Sequence, residues 1–138
     1  MVSSVTHIRV KYADTDQMGQ VYHGRFTEYL EVGRTDLVRK MGLPYKSVEE
    51  NGILMPVAEL RMKYRWPAFY DELLAVHTRV ETWPTAIFHF LYEIRNESDK
   101  LLVEAEVKLA FIDKETRKVC RAPDFILDAL KTGWQSGA

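Results

Sequence analysis

The sequence predicts an α+β protein in which a curved, largely antiparallel sheet of five strands wraps one long central helix. Two observations carry that expectation. One early segment and four later ones alternate with a period of two, and a single stretch between them has helical period. A sheet that is apolar on one face and polar on the other needs a cover, and the long helix is the element able to supply it.

The first strand is read over residues 5–12, where Thr6, Ile8, Val10 and Tyr12 alternate with His7, Arg9 and Lys11. From Gly24 the period changes. Phe26, Leu30, Gly33, Leu37 and Met41 recur at steps of three and four, while Arg25, Glu28, Glu31, Arg34, Arg39 and Lys40 fall mostly elsewhere on the wheel. That is an amphipathic helix of roughly 18 residues, about 27 Å long. Gly42 suits a left-handed cap and Pro44 cannot continue the helix. Gly33 in mid-helix costs about 1 kcal/mol relative to alanine, tolerable where something packs close. A short helix follows over 45–51, closed by Gly52.

The remaining strands are read over 53–66, 73–83, 86–95 and 101–112. In the first of these Ala58, Leu60, Met62, Tyr64 and Trp66 oppose Glu59, Arg61, Lys63 and Arg65. Leu74, Val76, Thr78 and Val80 then share a face, as do Phe88, Phe90, Tyr92 and Ile94, and Val103, Val107, Leu109 and Phe111. Residues 96–100 make a hairpin turn. Residues 122–124 start a C-terminal helix whose apolar side is Phe125, Ile126, Leu130 and Trp134. Together these elements compose a hotdog-like α+β fold, expected as a single domain over 1–138.

Composition narrows the function. A formal net charge of -1 argues against nucleic acid, whose phosphates call for a concentrated basic surface. No apolar run approaches the roughly 18 residues that span a bilayer. The start "MVSSVTHIRV" lacks the pattern of a secretory signal. One cysteine, Cys120, excludes an intramolecular disulfide and fits a reducing, cytoplasmic setting. With no histidine near it in sequence, it reads as a structural or surface thiol.

The segment "KYADTDQMGQVYHGRF", residues 11–26, concentrates the chemistry. Counted from Asp14, Asp16 and Gly19 fit a calcium loop, but Met18 and Arg25 stand where oxygen ligands are needed, so that reading fails. The four histidines form no compact zinc motif. A structural reading remains: Asp and Gly between strand and helix are ordinary turn and cap residues, and Asp14 suits an Asx-turn. A functional reading stands beside it. The amides that open a long helix lack intrahelical partners and carry the positive end of its dipole. They can hold a carbonyl oxygen that is gaining charge, and a carboxylate just upstream can address its carbon or a nearby water. Those are the parts of a metal-free acyl hydrolase.

The run "YADTDQMGQVYH" resembles the signature of hotdog acyl-CoA thioesterases of the 4-hydroxybenzoyl-CoA thioesterase and YbgC type. The resemblance continues through Tyr29-Leu30-Glu31, Arg34-Thr35-Asp36, residues 62–68 and Tyr70-Asp71-Glu72-Leu73. It implies that Asp16 is the catalytic carboxylate, as nucleophile or as general base for water. It implies that the backbone N–H of His23 polarises the thioester carbonyl, with Tyr22, Gly24 and Met55 in substrate binding and Asp14 shaping the loop. No metal or cofactor is called for. The substrate it implies is an acyl-CoA, with acyl carrier protein as an alternative carrier. Edge-to-edge pairing into a homodimer, often a dimer of dimers, is implied too, with active sites between subunits.

Two departures from the 4-hydroxybenzoyl-CoA branch stand out. Leu54 occupies a glycine position, and Trp83-Pro84-Thr85 offers no cation where that branch contacts CoA phosphates. Arg61, Lys63 and Arg65 are the candidate substitute cations, although a solvated strand face is the preferred reading of them. Phe26, Phe88, Phe90 and Tyr92 read as core. A non-catalytic acyl-thioester-binding protein and an enoyl-thioester dehydratase are the competing functions.

Overall fold

The computed structural model describes residues 1–134; the last four residues of the expected domain lie outside them. Strand β1 spans Val2–Arg9, and helix α1, Phe26–Lys40, follows a 3-10 turn over His23–Arg25. Then come α2 (Tyr45–Glu50), β2 (Ile53–Leu54), β3 (Val57–Tyr64), β4 (Leu73–Val80), β5 (Ile87–Arg95), β6 (Leu101–Asp113), β7 (Val119–Cys120) and α3 (Asp124–Gly133). All strand pairings are antiparallel. The seven-stranded sheet runs β1-β4-β5-β6, and β6 also pairs β2, β3 and β7. The long helix and the mostly antiparallel sheet are those of the expected hotdog fold.

Seven strand segments replace the expected five for identifiable reasons. The strand read over 53–66 breaks at Met55-Pro56, because proline has no N–H for the ladder. Past the break, register shifts between Val57 and Glu59 on β6. Short β7 turns back onto β6 and carries Cys120, which is half-buried. The first strand lies three residues earlier than expected. Arg9 pairs with Leu73, where β4 begins; beyond it Val10 still exchanges backbone hydrogen bonds with Asp71 and Glu72, and the chain then turns away, leaving Tyr12 78% exposed on a 3-10 turn.

Inner-face residues form the core. Leu74, Val76 and Val80 of β4, Phe88, Phe90, Tyr92 and Ile94 of β5 and Val103, Val107, Leu109 and Phe111 of β6 are buried, as their alternation predicted. Helix α1 lays Phe26, Tyr29, Leu30, Leu37 and Val38 against this face and packs on β1 and β4. Gly33 is the point of closest approach. A methyl there would lie 2.5 Å from Thr78 Oγ1 and 2.9 Å from Val76 Cγ1. Arg34, expected on the polar side of the wheel, is instead buried one turn beyond Leu30.

Candidate active site

The signature segment folds as a tight hairpin between β1 and α1. Asp16 N–H donates to the Gln20 carbonyl at 2.8 Å, Gly19 N–H to the Asp16 carbonyl at 3.0 Å, and Tyr22 N–H to the Asp14 carbonyl at 2.9 Å. Gly19 has a φ of +75°, a conformation that favours glycine at the tip. A bridge pairs Gln20 with Phe69, and Val21 N–H donates to the Ala68 carbonyl, which ties the hairpin to the segment before β4.

The two aspartates divide the work. Asp14 is 2% exposed, and its Oδ2 accepts from the Tyr29 hydroxyl at 2.8 Å and from the Lys11 N–H at 3.2 Å. It bolts the hairpin to the inner face of α1. Burial and Asp14 together push the Tyr29 hydroxyl well above its usual range. The Asx-turn, expected at Asp14, belongs to Asp16: its Oδ1 accepts from Met18 N–H at 2.9 Å and more weakly from Gln20 N–H at 3.4 Å. Asp16 Oδ2 has no hydrogen bond to the described protein. Asp16 is half-buried, so its carboxylate is held through one oxygen while the other is available.

The hairpin ends where the helix opens. Tyr22 precedes the 3-10 turn, Arg25 N–H donates to the Tyr22 carbonyl, and the amides of His23 and Gly24 open that turn without an intrahelical acceptor. The exposed His23 ring packs on Tyr22, centroids 4.5 Å apart, and stands edge-on to Tyr64 at 6.2 Å. The Tyr64 hydroxyl donates to the His23 carbonyl at 3.2 Å. A methyl on Gly24 would lie 2.7 Å from the Tyr22 ring, so its absence lets that ring lie over the helix start. Tyr29 and Tyr64, which no role in sequence singled out, are the two side chains that fix this arrangement.

Met55 does not join this group within the chain. It lines a separate cavity of about 560 Å³ between α2 and β2, with Tyr45, Val48 and Leu54. The candidate phosphate cations are committed on the outer sheet face: Arg61 pairs with Glu106 at 3.0 Å and Arg65 donates to Glu104 from two nitrogens. Lys63 stands on the same face opposite Glu104. Among the described residues no group of three or more His, Cys, Asp or Glu is placed to hold a metal ion.

A carboxylate with one anchored oxygen, in a hairpin that leads directly into a helix opening, defines a site suited to a reactive carbonyl. The profile of the thioesterase-like superfamily matches residues 10–130. YneP of Bacillus subtilis, whose own assignment as an acyl-CoA thioesterase is provisional, is 37% identical over 115 residues, 83% of each chain. The acyl-CoA thioesterase YbgC of Haemophilus influenzae is 33% identical over 77% of this chain and 78% of its own. The structure of a DHNA-CoA thioesterase from Staphylococcus aureus superposes with a TM-score of 0.87 at 35% identity, over 96% of this chain and 91% of that one. The chain belongs to the thioesterase-like superfamily, among the hotdog acyl-CoA thioesterases of the 4-hydroxybenzoyl-CoA thioesterase and YbgC type. It is a thioester hydrolase.

Proposed function

We propose that this chain hydrolyses an acyl-CoA thioester to the free acid and CoA, with Asp16 as the catalytic carboxylate. The observation that carries the reading is the half-tethered Asp16: Oδ1 is held by loop amides and Oδ2 is left for substrate. The thioester carbonyl oxygen accepts from the amide of His23, aided by the helix dipole, and the carbonyl carbon faces Asp16. Tyr22 and His23 line the thioester, and Gly24 keeps the helix opening accessible.

Two routes use the same parts. As nucleophile, Asp16 Oδ2 forms a bond to the carbonyl carbon, the carbon–sulfur bond breaks, and CoA leaves as thiolate. Water then hydrolyses the mixed anhydride and restores the carboxylate. As general base, Asp16 takes a proton from water while the hydroxide adds to the carbon; the tetrahedral adduct then collapses, the carbon–sulfur bond breaks, and the proton passes from Asp16 to the departing CoA sulfur, restoring the carboxylate. Solvent oxygen found in the Asp16 side chain after single turnover in isotopically labelled water identifies the nucleophilic route with water attacking the aspartyl carbon. Capture of the anhydride by hydroxylamine identifies that route where water attacks the acyl carbon instead, and neither signal belongs to the general-base route.

The test of the function is thiol release from a panel of short, long and aromatic acyl-CoAs. Asp16→Asn, which can keep the Asx-turn, should lower turnover by on the order of 10³-fold while the far-UV spectrum stays unchanged. Wild-type rates in Asp16→Asn end the assignment. Acyl-CoA-dependent stabilisation without thiol release would favour the binding-protein reading instead, and water addition to an enoyl thioester the dehydratase. Parallel assays with acyl carrier protein decide the carrier.

The working unit we propose is a cytoplasmic homodimer, or a dimer of dimers, of one hotdog domain per chain. Among the described residues strand β3 pairs only with β6, and its inner-face residues Leu60 and Tyr64 are 41% and 49% exposed, unlike those of β4 and β5. A second copy added edge to edge would pair the free ladder and cover them. Antiparallel pairing about the middle of β3 would bring Tyr64, and with it His23, beside the partner's Met55 cavity. That is the role kept for Met55.

A further inference from the structure

Arg34 takes no part in the hydrolysis above. It leaves the inner face of α1 and is only 9% exposed, yet a guanidinium keeps its charge throughout the physiological range. Its Nε donates to the Tyr45 hydroxyl at 3.0 Å and its Nη1 to the Tyr92 hydroxyl at 3.2 Å. Among the described residues it has no carboxylate partner. Taking a charge out of water without an opposite charge is expensive, and buried arginines are ordinarily paired.

The tyrosines do not supply the missing charge. Burial pushes both hydroxyls up, Tyr92 to about 12, so they remain neutral beside Arg34. Each oxygen accepts from Arg34, which directs its own proton elsewhere, and neither proton has a protein acceptor. Tyr92 is 2% exposed. One positive charge and two hydroxyl donors therefore converge from α1, α2 and β5; Glu31 is near enough to act on Tyr45, but no carboxylate among the described residues is hydrogen-bonded to any of the three. Tyr45 also lines the cavity of about 560 Å³, whose other walls include Ile53, Leu54 and Met55 and two charged residues of opposite sign, Glu49 and Arg117. That cavity adjoins the cluster through Tyr45.

The geometry points to an anion site: Arg34, Tyr45 and Tyr92 bind a monovalent anion, either free in solution or as the terminal carboxylate of a ligand lying in the α2–β2 cavity. The site goes beyond the proposed hydrolysis and does not depend on it, because its first readout is stability alone. A free anion lends its binding energy to the folded state only. At about ten times its dissociation constant, the melting temperature should rise by about 5 °C.

The experiment has two arms. Thermal melts of the full chain compare sodium chloride with sodium sulfate, whose anion is divalent, at matched ionic strength. Hydrolysis assays compare glutaryl-CoA with pentanoyl-CoA, whose acyl chains have the same length but differ in a terminal carboxylate. Each is run on wild type, Arg34→Met and Tyr45→Phe, and Tyr45→Phe carries the test alone where Arg34→Met fails to fold. A chloride-specific rise lost in the variants identifies a free anion. A tenfold or greater preference for glutaryl-CoA in kcat/KM, lost in the variants, identifies the tethered carboxylate. A chloride response that persists in the variants, or the absence of both effects, overturns the proposal and leaves the cluster hydrated only.

Discussion

At the scale of single residues, one hydrogen bond separates two aspartates that look alike. Asp14 and Asp16 are two positions apart, yet one is sealed against Tyr29 and the other turns back on its own loop amides. The spacing of Asp14, Asp16, Gly19 and His23 was legible in the sequence, and so was a loop-shaping part for Asp14. The owner of the Asx-turn was not, because that depends on which carboxylate a tyrosine one helix away captures. Tyr29→Phe removes a donor from a buried carboxylate and should cost about 1–3 kcal/mol, read as a lower urea midpoint.

The same residues set an alkaline limit. Unfolded tyrosines ionise near pH 10. Folded Tyr29, Tyr45 and Tyr92 hold their protons to higher pH, chiefly because burial penalises the phenolate. Between about pH 10 and 12 the folded state thus binds more protons than the unfolded state, so stability falls as pH rises. Below pH 10 the contribution is fully present. Urea midpoints should be clearly lower at pH 11 than at pH 8, and equal midpoints would contradict the burial of these hydroxyls.

At the scale of elements, periodicity read the faces well and the ends poorly. A strand face follows from alternation within the segment, whereas a strand end follows from where its neighbour stops. Strand β1 loses its partner after Val10, whose last backbone bonds go to Asp71 and Glu72, and no local pattern around Tyr12 records that. Gly33 is the converse case: its cost in a helix foretold a close neighbour, and Thr78 and Val76 are that neighbour. Gly33→Ala gains about 1 kcal/mol of helix propensity but forces a methyl into Thr78. Overpacking of this kind costs about 1–3 kcal/mol, so the variant should melt lower than wild type. A higher melting temperature would mean that α1 can lift from β4 at little cost.

At the scale of the whole molecule, the open question is the bare edge of β3. Leu60→Lys places a charge on its exposed inner face, where a paired copy would have to bury it. If the proposed dimer forms through this edge, sedimentation of the variant should show monomer where wild type shows dimer, with the far-UV spectrum unchanged and thiol release reduced. A dimer that survives Leu60→Lys would place the subunit contact elsewhere.

Sequence alone determined the alternating faces, the long helix, and the place of residues 14–19 between the first strand and the opening of that helix. Each of these depends on residues within a few positions of one another. Tertiary structure decided which carboxylate is sealed, where the ladders end, and that Arg34 lies inside rather than out. Those outcomes rest on hydrogen bonds and packing between segments tens of residues apart, whose energies no local spacing encodes.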